Sequence, residues 1–205
     1  MAKKLPPGQF ETKKWPVLHE GDVYQFDPQT WRFRLFGEIE EPITLTYEEV
    51  MALPKVQVTV DMHCVTTWSK FGTSFEGIPF RVFYEKVKPK ENVAYVRIYG
   101  YLNGDPMGYS ANLPIDALMG DEALFVYRWK DEENDWQEIS PKHGYPLRFI
   151  PPDQFYLWKG TKWASGIEFM SENKPGYWEE RGYHMNGNPF KEERFAIPVS
   201  NRFWI

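Results

Sequence analysis

The sequence predicts one β-rich α+β domain on three observations. Apolar and polar residues alternate strictly over short runs, helical signals last only a turn or two, and irregular links rich in proline and glycine separate them. Residues 1–30 show no period and are expected as an extended arm wrapped on a domain of residues 31–205, where it contributes to a site. From Trp31, Phe33 and Leu35 alternate with Arg32 and Arg34 in a half-buried strand that Gly37 closes. Thr46-Tyr47-Glu48-Glu49 reads as a capping box, so a helix is expected from Tyr47 to Leu53, stopped by Pro54. Val56, Val58, Val60 and Met62 alternate with Gln57, Thr59 and Asp61 in a strand that delivers the chain to His63 and Cys64. The polar stretch from Thr66 to Lys70 and the glycine-rich link to Gly77 read as an exposed loop. Pro79 is expected at the first position of a second helix, with Phe80, Phe83, Tyr84 and Val87 on one face and Lys88-Pro89 ending it. Strands are expected at 95–99, 124–129, 147–150 and 163–170, and a short helix at 114–119. The charged run from Lys130 to Asp135 reads as a solvated hairpin tip, because so many charges are costly to bury.

Composition narrows the function. A length of 205 residues fits one domain, and a net charge of −5 lacks the basic excess that phosphate tracking needs, so nucleic acid is excluded as a partner. No apolar run approaches 18 residues, so no membrane-spanning helix is expected. The first residues carry two lysines but no apolar core of a signal peptide, and a single cysteine rules out an intramolecular disulfide. Both fit a cytoplasmic protein. Aromatic residues make up 18% of the chain, with nine Trp, and such side chains either fill cores or build stacking walls around ligands.

Cys64 has two readings. A lone cysteine behaves as a small buried apolar residue, but its place at a strand end before a polar loop suits a reactive or metal-ligating thiolate. Zinc is disfavoured, since one Cys leaves only His and carboxylates to complete four ligands and the adjacent His63 points to the opposite face of an extended chain. A thiol hydrolase pairing Cys64 with His143 or His184 remains as an alternative. So does a non-catalytic carbohydrate-binding domain using the tryptophans. Two more clusters stand out. His143-Gly144-Tyr145-Pro146-Leu147-Arg148 sets a titratable ring near a guanidinium, and Lys162 follows fourteen residues later in Gly160-Thr161-Lys162-Trp163. Arg and Lys beside glycine-rich turns are the ingredients of an anion cradle.

Together these clusters resemble the molybdopterin-binding domain of the sulfite oxidase family. Val60 through Ser69, followed by Phe75-Glu76-Gly77-Ile78-Pro79, is similar to that family's metal-cysteine segment; His143–Arg148 resembles its pterin clamp and Gly160–Trp163 its phosphate turn. Pro6-Pro7-Gly8-Gln9 and Trp15-Pro16-Val17-Leu18-His19 resemble the arm of the short, heme-free bacterial members. The resemblance implies the sulfite-oxidase fold and a molybdenum held by one pterin dithiolene and the Cys64 thiolate. It implies two-electron oxygen-atom transfer on a small-molecule substrate. Arg148 and Lys162 would neutralise the pterin's phosphate, with amides at Gly160 and Thr161 donating to it. His143 would hydrogen-bond the pterin, and Trp15, Leu18 and His19 would wrap the cofactor. Tyr183, five residues after Trp178 and twenty-one after Lys162, resembles a substrate-side tyrosine. No heme domain is implied, so electrons would come from a separate partner. The chain departs from its relatives after the cysteine. Val65, Thr66 and Thr67 stand where vertebrate and plant sulfite oxidases carry an arginine, and Thr66 stands where the methionine sulfoxide reductases carry a glutamate.

Overall fold

A computed structural model describes residues 4–196, so the expected domain's last residues, 197–205, lie outside the described part. Two sheets carry the fold. The elements run β1 (Phe10–Glu11), β2 (Arg32–Gly37), β3 (Ile43–Thr46), α1 (Tyr47–Met51), β4 (Val56–His63), β5 (Trp68–Pro79) and α2 (Phe80–Tyr84). They continue with β6 (Tyr95–Leu102), β7 (Asp105–Pro114), β8 (Leu124–Lys130), β9 (Gln137–Glu138), β10 (Arg148–Ile150) and β11 (Ala164–Met170). One sheet holds β1, β4, β5, β8, β9 and β10; the other has the order β3-β2-β11-β6-β7.

The alternation from Trp31 buries Trp31, Phe33 and Leu35 completely, and β2 pairs antiparallel with β3 and parallel with β11. Thr46 and Glu49 form both halves of the capping box, so α1 starts where expected. It ends at Met51, two residues before the expected Leu53. The second helix also stops early, at Tyr84, and Pro79 is its N-cap with extended backbone rather than its first helical residue. The expected helix at 114–119 is a single 3-10 turn, Ile115–Leu118. Short helices suffice because their apolar faces drop onto the sheets: Phe80 and Phe83 join Phe33, Phe125 and Phe149 in one core.

Three expectations need correction. The segment after Cys64 is no exposed loop but the twelve-residue strand β5, lined along one edge by β4 and along the other by β1 and β8. Its polar residues are satisfied by tertiary partners, and Gly77 lets β8 approach so closely that a Cβ there would lie 2.3 Å from the Phe125 carbonyl oxygen. No strand is expected at residues 105–114, but they form β7. The hairpin with β6 turns at Asn103-Gly104, both with positive φ, which is the signature of a two-residue type I′ turn. Finally, the charged run at 130–135 is a β8–β9 hairpin tip, but Asp131 is not solvated. Its Oδ2 lies 2.7 Å from Lys70 Nζ, and the two side chains are 6% and 4% exposed. Asp131 Oδ1 caps the turn by accepting from the Glu133 and Asn134 amides.

The described part of the arm, residues 4–30, contains no helix and carries the short strand β1. Phe10 and Glu11 pair with Trp68 and Ser69, and Trp15 is buried in a second core with Val60, Met62, Cys64, Phe75 and Leu157. No helix among the described residues is long and apolar enough to cross a membrane.

Removing one partner of the Lys70–Asp131 pair leaves a buried charge uncompensated. Lys70→Met is expected to cost about 3–5 kcal/mol in urea unfolding, and adding Asp131→Asn, which keeps the turn-capping oxygen, should recover most of it. A double variant no more stable than Lys70→Met would disprove the pairing.

Candidate functional site

A cleft of about 190 Å³ opens where the arm, the β4–β5 turn, the chain between β10 and β11, and residues 176–183 meet. The arm contributes Leu18 and His19, the turn Cys64, the crossing segment Arg148, Gly160 and Lys162, and the last segment Trp178 and Tyr183.

Cys64 is placed by a tight reversal. β4 ends at His63 and β5 starts at Trp68, so four residues make the turn; the Cys64 amide donates to the Trp68 carbonyl at 2.8 Å and Thr67 takes a φ of 79°. The thiol is 7% exposed, reaches the cleft, and lies 3.2 Å from Thr66 Oγ1. Both readings of this cysteine therefore hold at once: it packs in a core and shows one face to a cavity.

The cations are the unusual feature. Arg148 opens β10 and is 4% exposed; Nη1 donates to the His143 carbonyl at 2.9 Å while the buried Nε has no partner. Burial lowers its pKa to about 10, and nearby Tyr109 and Cys64 partly offset that. Lys162 donates to the Lys142 carbonyl at 2.6 Å, and burial, together with the charge of Arg148, pushes its pKa down to about 6. Among the described residues neither cation pairs with a carboxylate. Gly144 makes their approach possible. It has a φ of 115°, and a Cβ there would lie 3.1 Å from both Arg148 Cβ and Lys162 Cα.

His143 and Trp15 lie behind this pair and not in the cleft wall. Their rings stack at 4.1 Å and 21°, and the Arg148 guanidinium sits 5.1 Å over the indole. His143 is held neutral, its pKa pushed to about 3 by burial and by the charges of Arg148 and Lys162. Both His143 Nδ1 and Trp15 Nε1 are buried without partners. Leu18 stands at the rim, 63% exposed, and His19 meets the edge of Trp163 at 5.5 Å while its Nδ1 lies 3.0 Å from the Gly21 carbonyl oxygen. Tyr183 stacks on Trp178 at 5.0 Å and meets Trp158 edge-on at 5.0 Å.

The amides expected at Gly160 and Thr161 do not face the cleft as free donors. Gly160 N–H binds the Leu157 carbonyl at 3.0 Å and Thr161 N–H the Phe149 carbonyl at 3.2 Å, while Thr161 Oγ1 turns to the Ile98 carbonyl. Gly160 lines the cleft and Thr161 is a buried strut. Sequence reasoning also missed Trp158 as a wall residue. Its indole Nε1 donates to Glu179 Oε1 at 2.9 Å, a partner twenty-one residues away that no local pattern announces.

The thiol hydrolase reading lacks its base. His143 is stacked on Trp15, and His184 Nδ1 accepts the Asn186 and Gly187 amides. No group of three His, Cys, Asp or Glu suited to a metal ion occurs among the described residues.

Residues 20–178 match the family model of the oxidoreductase molybdopterin binding domain. The chain belongs to that family. The match covers Cys64, His143, Arg148 and Lys162; Trp15, Leu18, His19 and Tyr183 stand outside it and rest on the geometry above. Among oxidoreductase relatives, "Uncharacterized oxidoreductase YuiH" of Bacillus subtilis (strain 168) is 37% identical over 94% of this chain and 92% of its own length. The protein-methionine-sulfoxide reductase catalytic subunit MsrP of Campylobacter jejuni subsp. jejuni is 28% identical over 80% of this chain, which spans 59% of that protein's length. In structure the chain is similar to the sulfane dehydrogenase SoxCD from Paracoccus pantotrophus, with a TM-score of 0.66 at 15% identity, over 81% of this chain and 44% of that one. The β-rich fold is that of the sulfite-oxidase molybdopterin domain. The non-catalytic carbohydrate-binding reading falls with the family assignment.

The residues present fit the family's cofactor. A dianionic phosphate needs cations not already paired with carboxylates, a polar pterin needs donors such as the Arg148 guanidinium, whose buried Nε has no partner, and a soft metal needs a thiol in the same cavity.

Lys162 titrates near 10.5 in the unfolded chain and near 6 in the fold, so between these values the unfolded state binds the extra proton. Stability of the cofactor-free protein is therefore expected to rise with pH from about 6 towards 10.5. Urea midpoints for wild type and Lys162→Met over pH 6–9 check this; parallel profiles would show that Lys162 is not desolvated.

Proposed function

We propose that the enzyme transfers an oxygen atom to or from a small substrate in a two-electron reaction, with molybdenum held by a pterin dithiolene and by the Cys64 thiolate. The observation that carries this reading is the shared cleft: the chain's single cysteine, the buried Arg148 and the half-buried Lys162 face one cavity, and among the described residues neither cation pairs with a carboxylate. When bound, the molybdenum centre supplies the redox chemistry, and the protein supplies binding, orientation and electrostatics.

In this reading Arg148 and Lys162 hold the phosphate. An arriving dianion restores the proton on Lys162, so binding near neutral pH takes up protons. The Trp15–His143 stack backs Arg148 and keeps the guanidinium from turning away, with His143 held neutral behind it. Leu18 and His19 of the arm shield the cleft from water. Electrons come from a separate carrier in this reading. The MsrP relative supports sulfoxide reduction, while the turn after Cys64, with Val65, Thr66 and Thr67, departs both from the arginine of sulfite oxidases and from the glutamate of methionine sulfoxide reductases.

Metal and pterin analysis of protein from a host that makes the cofactor tests the reading directly, with about one molybdenum per chain expected. Cys64→Ser substitutes a harder oxygen donor of similar size, so turnover should be abolished while the melting temperature holds. Full activity in that variant would remove Cys64 from the metal.

In this reading Tyr183, which lines the cleft, stands on the substrate side, where its phenol would donate to a substrate oxygen as charge develops there. Such a donor is worth about 2.7–4 kcal/mol of barrier. Tyr183→Phe keeps the stack on Trp178, so a turnover loss on the order of 10²-fold with unchanged metal content is expected. Unaltered turnover with a lower melting temperature would make Tyr183 structural.

A further inference from the structure

The turn that carries Cys64 is held from outside by residues to which no cofactor role has been given. The Cys64 carbonyl accepts the Thr67 amide within the turn at 3.1 Å and also Gln9 Nε2 at 3.0 Å. The Val65 carbonyl accepts Arg194 Nη1, and the Thr67 carbonyl accepts the Phe10 amide at 2.9 Å. Three of the turn's four carbonyls are thus bound by segments more than fifty residues away.

Gln9 is itself oriented. It is 9% exposed, and Ser69 Oγ donates to its Oε1 at 3.3 Å, which leaves Nε2 to face the Cys64 carbonyl. Ser69 Oγ is held in turn by His63 Nδ1 at 2.8 Å. An amide flip would set Oε1 against the Cys64 carbonyl oxygen and lose that bond, so the side chain has one productive orientation.

Arg194 is gripped as firmly. Its guanidinium lies 5.1 Å over the Tyr156 ring and reaches the Pro7 carbonyl at 3.5 Å. Gly8, with φ of 66°, lets the two segments close: a Cβ there would stand 3.2 Å from Glu192 Oε1 and 3.4 Å from Arg194 Nη2. The neighbouring Phe195 bridges to Tyr183, so the segment that pins the turn also anchors the opposite wall of the cleft.

We propose that Gln9 and Arg194 are positioning residues for Cys64, forming with the Phe10 amide a clasp that presents the thiol to the cleft only when the arm is docked. That Cys64 is the metal's thiolate rests on the function proposed above; the clasp does not. A merely structural tie would add global stability. A clasp sets the local freedom of the thiol.

Cys64 is the chain's only cysteine, so its alkylation is read without ambiguity. The full-length chain, purified from cells unable to make the pterin, is treated with iodoacetamide and followed by mass. Rates are taken at the alkaline plateau, so that a change in thiol ionisation does not enter. Gln9→Leu and Arg194→Met are each expected to react at least tenfold faster than wild type while circular dichroism and the urea m-value stay the same. Thr46→Ala, which loses a helix cap in the other sheet's lobe, should react at the wild-type rate. Arg194→Lys should restore part of the protection. Wild-type rates in the folded Gln9 and Arg194 variants overturn the proposal, as does equal acceleration in Thr46→Ala; where one of the two clasp variants does not fold, the other decides. Protein without molybdenum would sink the proposed function and leave this result standing, whereas unchanged alkylation sinks the clasp whatever the metal content.

Discussion

The repulsion between Arg148 and Lys162 is the constraint around which the cleft is built. Charging both in a partly desolvated pocket raises the free energy of each, so Lys162 gives up its proton more readily than an exposed lysine, and a chain free to rearrange would turn one of them to water or pair it with a carboxylate. Neither happens. Arg148 is locked by the His143 carbonyl and by the Trp15 ring beneath it, Lys162 by the Lys142 carbonyl, and the backbone between them closes because position 144 is glycine. The fold therefore maintains an unfavourable arrangement whose cost disappears when an anion enters, which is the electrostatic definition of a binding site prepared in advance.

Strand topology explains why the arrangement holds. β10 belongs to the sheet of β5 and β8, whereas β11 belongs to the sheet of β2 and β6, so residues 151–163 carry the chain from one sheet to the other. Lys162 sits at the end of that crossing and Arg148 at its start. The Phe149 and Thr161 backbones exchange two hydrogen bonds, at 2.8 and 3.2 Å, that tie the ends of the crossing together. The Gly160 and Thr161 amides are used here, in fixing where Lys162 points, and so are not available to a ligand. Cys64 reaches the same cleft from the β4–β5 turn of the first sheet. Cys64 and Arg148 are thereby set by different strands of one sheet, and Lys162 by the end of the crossing to the other.

Local chemistry was legible where a residue's partner lies within a few positions. The capping box at Thr46 and Glu49, the alternation of β2 and β4, and the close of β2 at Gly37 need no tertiary knowledge. β5 was misread because its polar residues find their partners far away, Ser69 in Gln9 and His63, and Lys70 in Asp131. β7 was missed although Asn103-Gly104 announced its hairpin, since the proline and glycine that follow argue locally against a strand. At the site, Cys64, Arg148 and Lys162 were found through motif resemblance, and the structure brings all three to one cavity. Trp158, Gln9 and Arg194 were not, because each acts through contacts that exist only once sheets, arm and C-terminal segment have met.

Three buried or half-buried lysines show what separates structure from function here. Lys159 is fully buried, yet its ammonium lies 2.6 Å from Glu179 Oε1 and donates to Asn112 Oδ1 and the Met185 carbonyl, each at 2.7 Å. Its charge and its donors are consumed, and the pair braces Trp158 against the 176–187 segment. Lys70 is consumed in the same way by Asp131 and the Lys13 carbonyl. Lys162 has one carbonyl and a repelling guanidinium. Burial by itself marks nothing, because a satisfied ion pair is a common way to close a core. What marks a site is a cation kept from water and also kept from a counter-ion that the same chain could have supplied, as it supplied Glu179 and Asp131 elsewhere. By that criterion an anion suits this cleft: among the described residues no carboxylate pairs with Arg148 or Lys162, although Glu20 lines the same cavity.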